Sequence, residues 1–230
     1  MGLTHSPRIV RDGLVLHLDA ANAKSYPGSG NTWFGLDKNK NDVPKGSFYV
    51  PTFSNNAFTF VGSGSNRFFQ APDPGVGNIF TIEGVFKSTS SSNSNGIFLT
   101  PASNGFDNFL RVRATSGLND FCFFYCQSSD TNNTQIKSAE DSVITNQWHH
   151  YTVTMNQNTT NMWFDGKHVA SSTESFTIGS WTGVWRIGVR YSGYSADFAG
   201  EIPLVKVYNR VLTDSEIKQN FDAIRDRFGL

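Results

Sequence analysis

The acidic side chains of this chain decide which hydrolytic reactions it could catalyse. Hydrolysis of a glycosidic bond needs two carboxyl groups that face the same bond, roughly 5 to 10 Å apart. None of the five glutamates is followed two residues later by a second acid, and Glu83 stands alone in its predicted strand. Glu140 and Asp141 are adjacent, so on a strand they would point to opposite faces. The chain also lacks the Gly-x-Ser-x-Gly and His-Glu-x-x-His patterns of other hydrolases. We therefore predict that the protein is not an enzyme. The alternative is a hydrolase whose two carboxylates come from separate strands.

The histidine pair His149 and His150 is the second group that could do chemistry, as metal ligands or as a general base. Tyr151, Val153 and Met155 follow it in alternation with threonines, which is the period of a half-buried strand. Neighbours on a strand point to opposite faces, so the two imidazoles cannot bind one ion together. We predict a structural role for both.

The segment after this strand has the pattern of an antiparallel meander. A polar turn at 156–160 precedes the alternating residues Met162 and Phe164. Asp165 and Gly166 suit a two-residue type I′ turn, because both central positions need a positive φ. Val169 then belongs to a third strand.

The same alternation recurs along most of the chain. Clusters of Gly, Ser, Asn and Pro predict loops at 26–31, 61–66, 88–95 and 128–134. Many short strands without a long amphipathic segment before the end predict an all-β, two-sheet antiparallel sandwich. The predicted strands are 14–19, 57–61, 67–71, 80–86, 96–100, 108–113, 120–126, 148–155, 161–165, 167–171, 185–189 and 201–208.

One helix, over residues 213–228, is predicted at the end of the chain. Thr213 and Glu216 have the spacing of a capping box, and Leu212 and Ile217 that of a hydrophobic staple. An apolar stripe follows at helical spacing and should pack on the sandwich, with partner binding as the alternative. Its residues are Ile217, Phe221, Ile224 and Phe228.

We predict one domain at residues 13–230, preceded by an arm at residues 1–12. The arm has no periodic apolar face, so we expect it to be mobile alone and to anchor the protein to a larger assembly. It matches the Met-Gly-x-x-x-Ser myristoylation pattern, which is common by chance, and it lacks an apolar secretory core.

The charge balance and the two cysteines indicate which binding partners and which cellular compartment to expect. The chain has 19 basic and 19 acidic residues, which gives no electrostatic reason to expect nucleic acid or an anionic membrane as a partner. Cys122 and Cys126 lie four residues apart on a predicted strand, too far apart for a disulfide if the strand is straight. We therefore expect synthesis in a reducing cytoplasm.

Four segments resemble the laminin-G/concanavalin-A-like jelly-roll superfamily. They are the Trp-His-His strand with the following Phe-Asp-Gly-Lys turn, the opening strand GLVLHLDAAN at 13–22, FTIEGVF at 80–86, and FAGEIPLVKVYNRVLT at 198–213. The last is similar to the family's closing pattern F-x-G-x-I-D-x-V-x-x-Y-N-R-A-L-[ST]. The opening at 13–33 and the ending at 217–230 are most similar to versions found in virion proteins of tailed bacteriophages.

This resemblance implies a concanavalin-A-like jelly roll and three functions. The first is a non-enzymatic virion protein on the particle surface, as a head decoration or an appendage tip, that contacts other capsid or tail proteins, forms a homo-oligomer and binds host glycans. The second is a carbohydrate-binding module outside a virion. The third is a polysaccharide hydrolase, which is disfavoured because hydrolases of this fold carry E-x-D-x-x-E on one strand, and this chain does not.

The resemblance also implies candidate site residues. Related proteins bind sugars with loop aromatics, and Trp181, Tyr191 and Tyr194 lie in Gly- and Ser-containing loops on both sides of the strand at 185–189. Related folds often hold a structural calcium ion between their first and last strands. Asp19 and Asp197 stand at the corresponding places, although calcium takes six to eight oxygen ligands.

Overall fold

The computed structural model describes residues 7–45, 51–62, 68–89, 96–101, 109–114, 121–129, 132–157, 159–174, 184–189 and 198–230. These residues form strands and a C-terminal helix. In chain order the elements are β1 Leu14–Asp19, β2 Thr32–Trp33, β3 Val43–Pro44, β4 Thr52–Ser54, β5 Ala57–Val61, β6 Phe69–Ala71, β7 Ile79–Ser88, β8 Gly96–Pro101, β9 Phe109–Ala114, β10 Cys122–Ser129, β11 Asn132–Lys137, β12 Trp148–Asn156, β13 Thr159–Phe164, β14 Lys167–Ser172, β15 Trp185–Ile187, β16 Ala199–Tyr208 and α1 Asp214–Phe228.

The strands form two large antiparallel sheets, as the alternation predicts. The eight-stranded sheet has the order β14-β13-β12-β7-β16-β5-β4, with β1 also paired to β16. The six-stranded sheet has the order β11-β10-β9-β8-β15-β6, and β2 and β3 form a small third sheet. The predicted two-sheet jelly-roll sandwich with one C-terminal helix is confirmed.

The main core lies between the two large sheets and is rich in aromatic rings. Phe58 is fully buried, and its ring centre lies 4.6 Å from that of Phe69 and 4.7 Å from those of Trp33 and Tyr26. Burial of each such side chain is worth roughly 1.5 to 3 kcal/mol. Aromatic and aliphatic side chains therefore share the core, with the phenylalanine rings among its largest members.

The other face of the eight-stranded sheet is covered by α1. Ile217 and Ile224 of the helix are buried against it, Ile224 in contact with Val85 and Leu204. Thr213 caps the helix with both halves of the predicted capping box, and Gly229 ends it in the left-handed conformation. No helix in the described ranges is both long and apolar enough to cross a bilayer.

The predicted meander is confirmed, including its turn. Phe164 pairs with Lys167, and the two residues between them have positive φ, 47° at Asp165 and 75° at Gly166. The predicted loop at 128–134 is wrong, because β10 extends to Ser129 and β11 begins at Asn132. β11 is an edge strand, so its polar residues need not alternate with apolar ones.

The described part of the N-terminal arm contacts the rest of the fold, whereas its mobility stays a prediction. The backbone N–H of Val10 donates to Asn220 Oδ1 at 2.8 Å, and its carbonyl accepts from the hydroxyl of Tyr208 at 3.1 Å. Gln219 also donates to the carbonyl of Arg8. Residues 8–10 therefore pack on α1 and β16, and Val10 supplies the apolar contact that the pattern did not reveal.

Candidate functional site

A row of three aromatic side chains lies on β10 and in the residue before it. Cys122 and Phe124 point into the core and are fully buried. Phe121, Phe123 and Tyr125, here called the aromatic row, alternate with them and are partly exposed. Because successive side chains of a strand point to opposite faces, the row lies on the outer face of the six-stranded sheet.

The rings of the aromatic row are close enough to act as one surface. The ring centres of Phe121 and Phe123 are 6.1 Å apart, and those of Phe123 and Tyr125 are 6.0 Å apart with planes only 13° from parallel. The Lys137 ammonium lies 4.8 Å from the centre of the Phe121 ring, which is a cation–π distance.

Neighbouring strands place polar residues beside the aromatic row. Lys137 and Gln135 on β11 are the register partners of Phe123 and Tyr125. On β9 the register partners of the same two residues are Arg113 and Arg111. A hollow of about 440 Å³ is lined by Phe121, Phe123, Gln135, Ile136 and Lys137. Such a surface can stack against a flat apolar face and donate hydrogen bonds at its edge.

The candidate ligand residues Trp181, Tyr191 and Tyr194 lie outside the described residues, and so does Asp197. In sequence the three aromatics stand on both sides of β15, which belongs to the same sheet as the aromatic row. Their role in binding stays a prediction.

Asp19 ends β1, and its carboxylate already has protein partners. Its Oδ2 lies 2.8 Å from Nη1 of Arg227, and its Oδ1 accepts from the backbone N–H of Ala21 at 3.1 Å. Within the described ranges, no group of three or more His, Cys, Asp or Glu side chains is placed to hold a metal ion. The calcium site at Asp19 and Asp197 stays a prediction.

The two adjacent histidines have separate partners. The backbone N–H of Ile144 donates to Nε2 of His149 at 2.9 Å, so Nδ1 carries the proton and donates to Asp165 at 2.9 Å. His150 faces the helix side of the sheet, and its Nε2 lies 3.1 Å from Oε1 of Glu83.

Glu83 is the centre of a polar network that the sequence did not reveal. It is fully buried between β7 and α1, and it accepts hydrogen bonds from Lys206 at 2.7 Å, Asn220 at 2.7 Å and His150 at 3.1 Å. Burial alone would raise the pKa of this carboxyl, but the Lys206 ammonium and the His150 hydrogen bond hold it at about 2. We refer to Glu83, His150, Lys206 and Asn220 as the buried network.

This arrangement makes Glu83 a structural anion that fixes α1 to the sheet. Three further glutamates of the described chain are also engaged, Glu140 with Lys137 at 3.1 Å, Glu201 with Lys87 at 2.7 Å and Glu216 with Arg210 at 2.6 Å. Neither Glu83, which is sealed from solvent, nor these ion-paired groups forms the facing acid pair of a glycosidase.

Comparison with known proteins agrees with the jelly-roll fold. A laminin G-type family of the concanavalin A-like lectin/glucanases superfamily matches residues 62–218. No curated protein sequence matches the chain. The chain belongs to the concanavalin A-like lectin/glucanases superfamily.

Solved structures similar to the chain include parts of toxins and enzymes. The binding domain of botulinum neurotoxin DC, in complex with SialylT, has 15% identity and a TM-score of 0.71, over 94% of this chain and 52% of that one. The Trypanosoma rangeli sialidase has 16% identity and a TM-score of 0.67, over 98% and 36%.

A third similar structure has nearly the same length. It is domain 4 of AbnA, a GH43 extracellular arabinanase from Geobacillus stearothermophilus, in complex with arabinotriose. It has 16% identity and a TM-score of 0.59, over 92% of this chain and 99% of that one. The chain spans about half of the toxin binding domain, and at these identities the likeness concerns the fold.

Proposed function

We propose that this protein is a non-enzymatic carbohydrate-binding module whose ligand lies on the aromatic row of the six-stranded sheet. The observation that carries the proposal is the outward alternation of Phe121, Phe123 and Tyr125 beside Lys137 and Gln135. The rings offer flat apolar area for the C–H face of a sugar, and the ammonium and amide can bond its hydroxyls.

The comparisons support a binding role of this kind. The arabinanase domain is named in complex with arabinotriose and the toxin domain in complex with SialylT. The arabinanase domain shares the fold over nearly its whole length, so a sandwich of this shape is compatible with saccharide binding, whereas the toxin domain shares it over about half of its length. The chemistry of the aromatic row supplies the argument for this particular surface.

The test begins with a glycan array, followed by titration calorimetry with the best saccharide. Phe123→Ala and Tyr125→Ala should each weaken binding by about tenfold or more, because aromatic anchors dominate such interfaces. Phe34→Ala is the matched control, since Phe34 is 41% exposed and lies near β2, away from the aromatic row. The control should bind as the unchanged protein does.

Two results would contradict this proposal. One is an array without any binding; the other is a saccharide whose affinity does not change in Phe123→Ala and Tyr125→Ala. In the second case the loops that carry Trp181, Tyr191 and Tyr194 become the better candidates. Turnover of a bound polysaccharide, lost on replacement of a carboxylate, would refute the non-enzymatic role.

We further propose that the module is displayed on the surface of a phage particle, as a head decoration or an appendage tip, and contacts other virion proteins there. The support is the resemblance of the segments at 13–33 and 217–230 to tailed-phage virion proteins. Mass spectrometry of purified particles, with immunogold labelling, tests this placement. Absence from the particles would favour the alternative, a carbohydrate-binding module outside a virion.

A further inference from the structure

A cleft of about 620 Å³ opens on the helix side of the eight-stranded sheet. Its walls come from six parts of the chain: the segment 7–11, β1, the segment 22–24, the segment 36–38, β16 and the second half of α1. His17 and Lys206 of the sheet are buried beside it. The cleft is separate from the aromatic row, which lies on the outer face of the other sheet.

Cationic side chains dominate the lining of this cleft. Six cations line it, against the two carboxylates of Asp19 and Asp37. The whole chain has equal numbers of basic and acidic residues, so this excess is a local feature. The six are Arg8, Arg11, Lys24, Lys38, Lys206 and Arg227.

Both carboxylates of the cleft are already used by the protein. Asp19 pairs with Arg227 and accepts from Ala21. Asp37 is buried and accepts from the backbone N–H groups of Asn39 at 3.0 Å and Asn41 at 3.3 Å, so it holds its own loop. Asp19 is therefore neutralised by Arg227, whereas Asp37 receives only uncharged donors and offsets one unit of the positive charge, which leaves an excess of cations in the cleft.

Four cations of the cleft have no carboxylate partner within the described ranges. Lys206 pairs with Glu83 and Arg227 with Asp19, whereas Arg8, Arg11, Lys24 and Lys38 take part in no ion pair there. Their side chains are exposed and come from three separate segments within residues 8–38. Four like charges gathered around one concave space repel each other, and an anion in that space removes the repulsion.

We propose that this cleft binds a compact anion with two or more phosphate, sulfate or carboxylate groups, of the size of a sugar phosphate. The volume lies within the range of small-molecule sites, roughly 300 to 1,000 Å³. Guanidinium and ammonium groups are the usual donors to such anions. The same group could be a free metabolite or the charged substituent of a polysaccharide, and the test separates these sources.

The test is titration calorimetry of the full chain in low-salt buffer with EDTA. Pyrophosphate and fructose 1,6-bisphosphate should bind, and fructose should not. Arg11→Gln and Lys38→Gln should each weaken binding by about tenfold, because each removes a charge-assisted hydrogen bond. Lys40→Gln in the same loop and Arg225→Gln on α1 are matched controls outside the cleft, and they should bind within about twofold of the unchanged protein.

A second arm compares dextran sulfate with dextran. If the polymer binds and loses affinity only in the two cleft variants, the cleft accepts the charged group on a polysaccharide as well as the free form. Three results would overturn the proposal: no binding of either small anion, equal loss in the cleft and control variants, or binding that requires added calcium. Unchanged melting temperatures of the four variants exclude unfolding as the cause. The site is independent of the aromatic row, so Phe123→Ala should leave binding of the small anions intact.

Discussion

Replacement of Lys206 by methionine tests the energetic role of the buried network. The change keeps most of the apolar stem and removes the ammonium that lies 2.7 Å from Oε1 of Glu83. Glu83 then remains fully buried, with only His150 and Asn220 as donors. Loss of one partner of a buried ion pair costs about 3 to 5 kcal/mol, which is a large part of the 5 to 15 kcal/mol that stabilises a typical domain.

The stability that Lys206→Met loses should depend on pH, and the pKa of Glu83 determines in which direction. In the unchanged protein the pKa of Glu83 lies at about 2, below the ordinary value of 4.5, so its contribution is complete above about pH 4.5 and is lost as the pH falls towards 2. Without Lys206, burial dominates and raises the pKa of Glu83. Protonation then relieves the buried charge, so the difference in stability between variant and unchanged protein should shrink as the pH falls from 7 towards 4.5.

Urea denaturation, followed by tryptophan fluorescence at several pH values, measures this difference. The double variant Glu83→Gln/Lys206→Met should recover much of the lost stability at pH 7, because no buried charge remains. Lys218→Met is the control, since its pair with Asp222 lies on the exposed face of α1 and is worth at most about 1 kcal/mol. A loss below about 1 kcal/mol for Lys206→Met, or a loss that grows on acidification, would refute the reasoning.

Three further predictions concern single positions. Burial, followed by the charge of Lys206, lowers the pKa of His17 to about 4. The stability of the fold should therefore decrease as the pH falls from about 6.5 to 4, because the unfolded chain binds the proton first. In His17→Gln the melting temperature should depend less on pH over this range. Gly188 has a φ of 97°, and an added Cβ would overlap the ring of Phe60, so Gly188→Ala should cost about 3 kcal/mol or more in urea denaturation. Gly75→Ala, at a φ of 69° in open space, should cost only about 1 to 2 kcal/mol, and equal losses would contradict the overlap. Glu216→Ala removes one half of the capping box together with the ion pair to Arg210 and should cost about 1 to 2 kcal/mol, measured the same way, whereas an unchanged midpoint would show that neither contact contributes.

Features that depend on neighbours in sequence could be predicted without the structure. The type I′ turn at Asp165 and Gly166 and the capping box at Thr213 and Glu216 both rest on residues within one turn of the chain. The alternation at 148–156 marks a strand correctly, although both faces of that strand are buried and a half-buried strand was predicted. Such signals are local, so the sequence alone reveals the sandwich class and the C-terminal helix.

Features that depend on convergence of distant segments could not be predicted. Glu83 and Asn220 meet in the buried network although 137 residues separate them. The cleft combines Arg8 and Arg11 with Lys38 and Arg227, and no spacing rule connects these positions. The aromatic row was not predicted as a site, because Phe124 interrupts the alternation of aromatic residues there, and its polar neighbours became apparent only from the register of β11, whose polar composition suggested a loop.

The position of β16 has a consequence for the order in which the protein is made and folds. This strand, residues 199–208, lies inside the eight-stranded sheet, with β7 on one side and both β5 and β1 on the other. The ribosome synthesises β16 after β1, β5 and β7, the strands that it joins. Strands β1 and β5 therefore lack this pairing partner during most of the synthesis of the chain. The sheet closes only when β16 has emerged, and long-range pairing of this kind is slow. Until β16 has emerged, one edge of β7 can pair with other strands. The nascent chain is therefore most prone to mispairing just before β16 is complete.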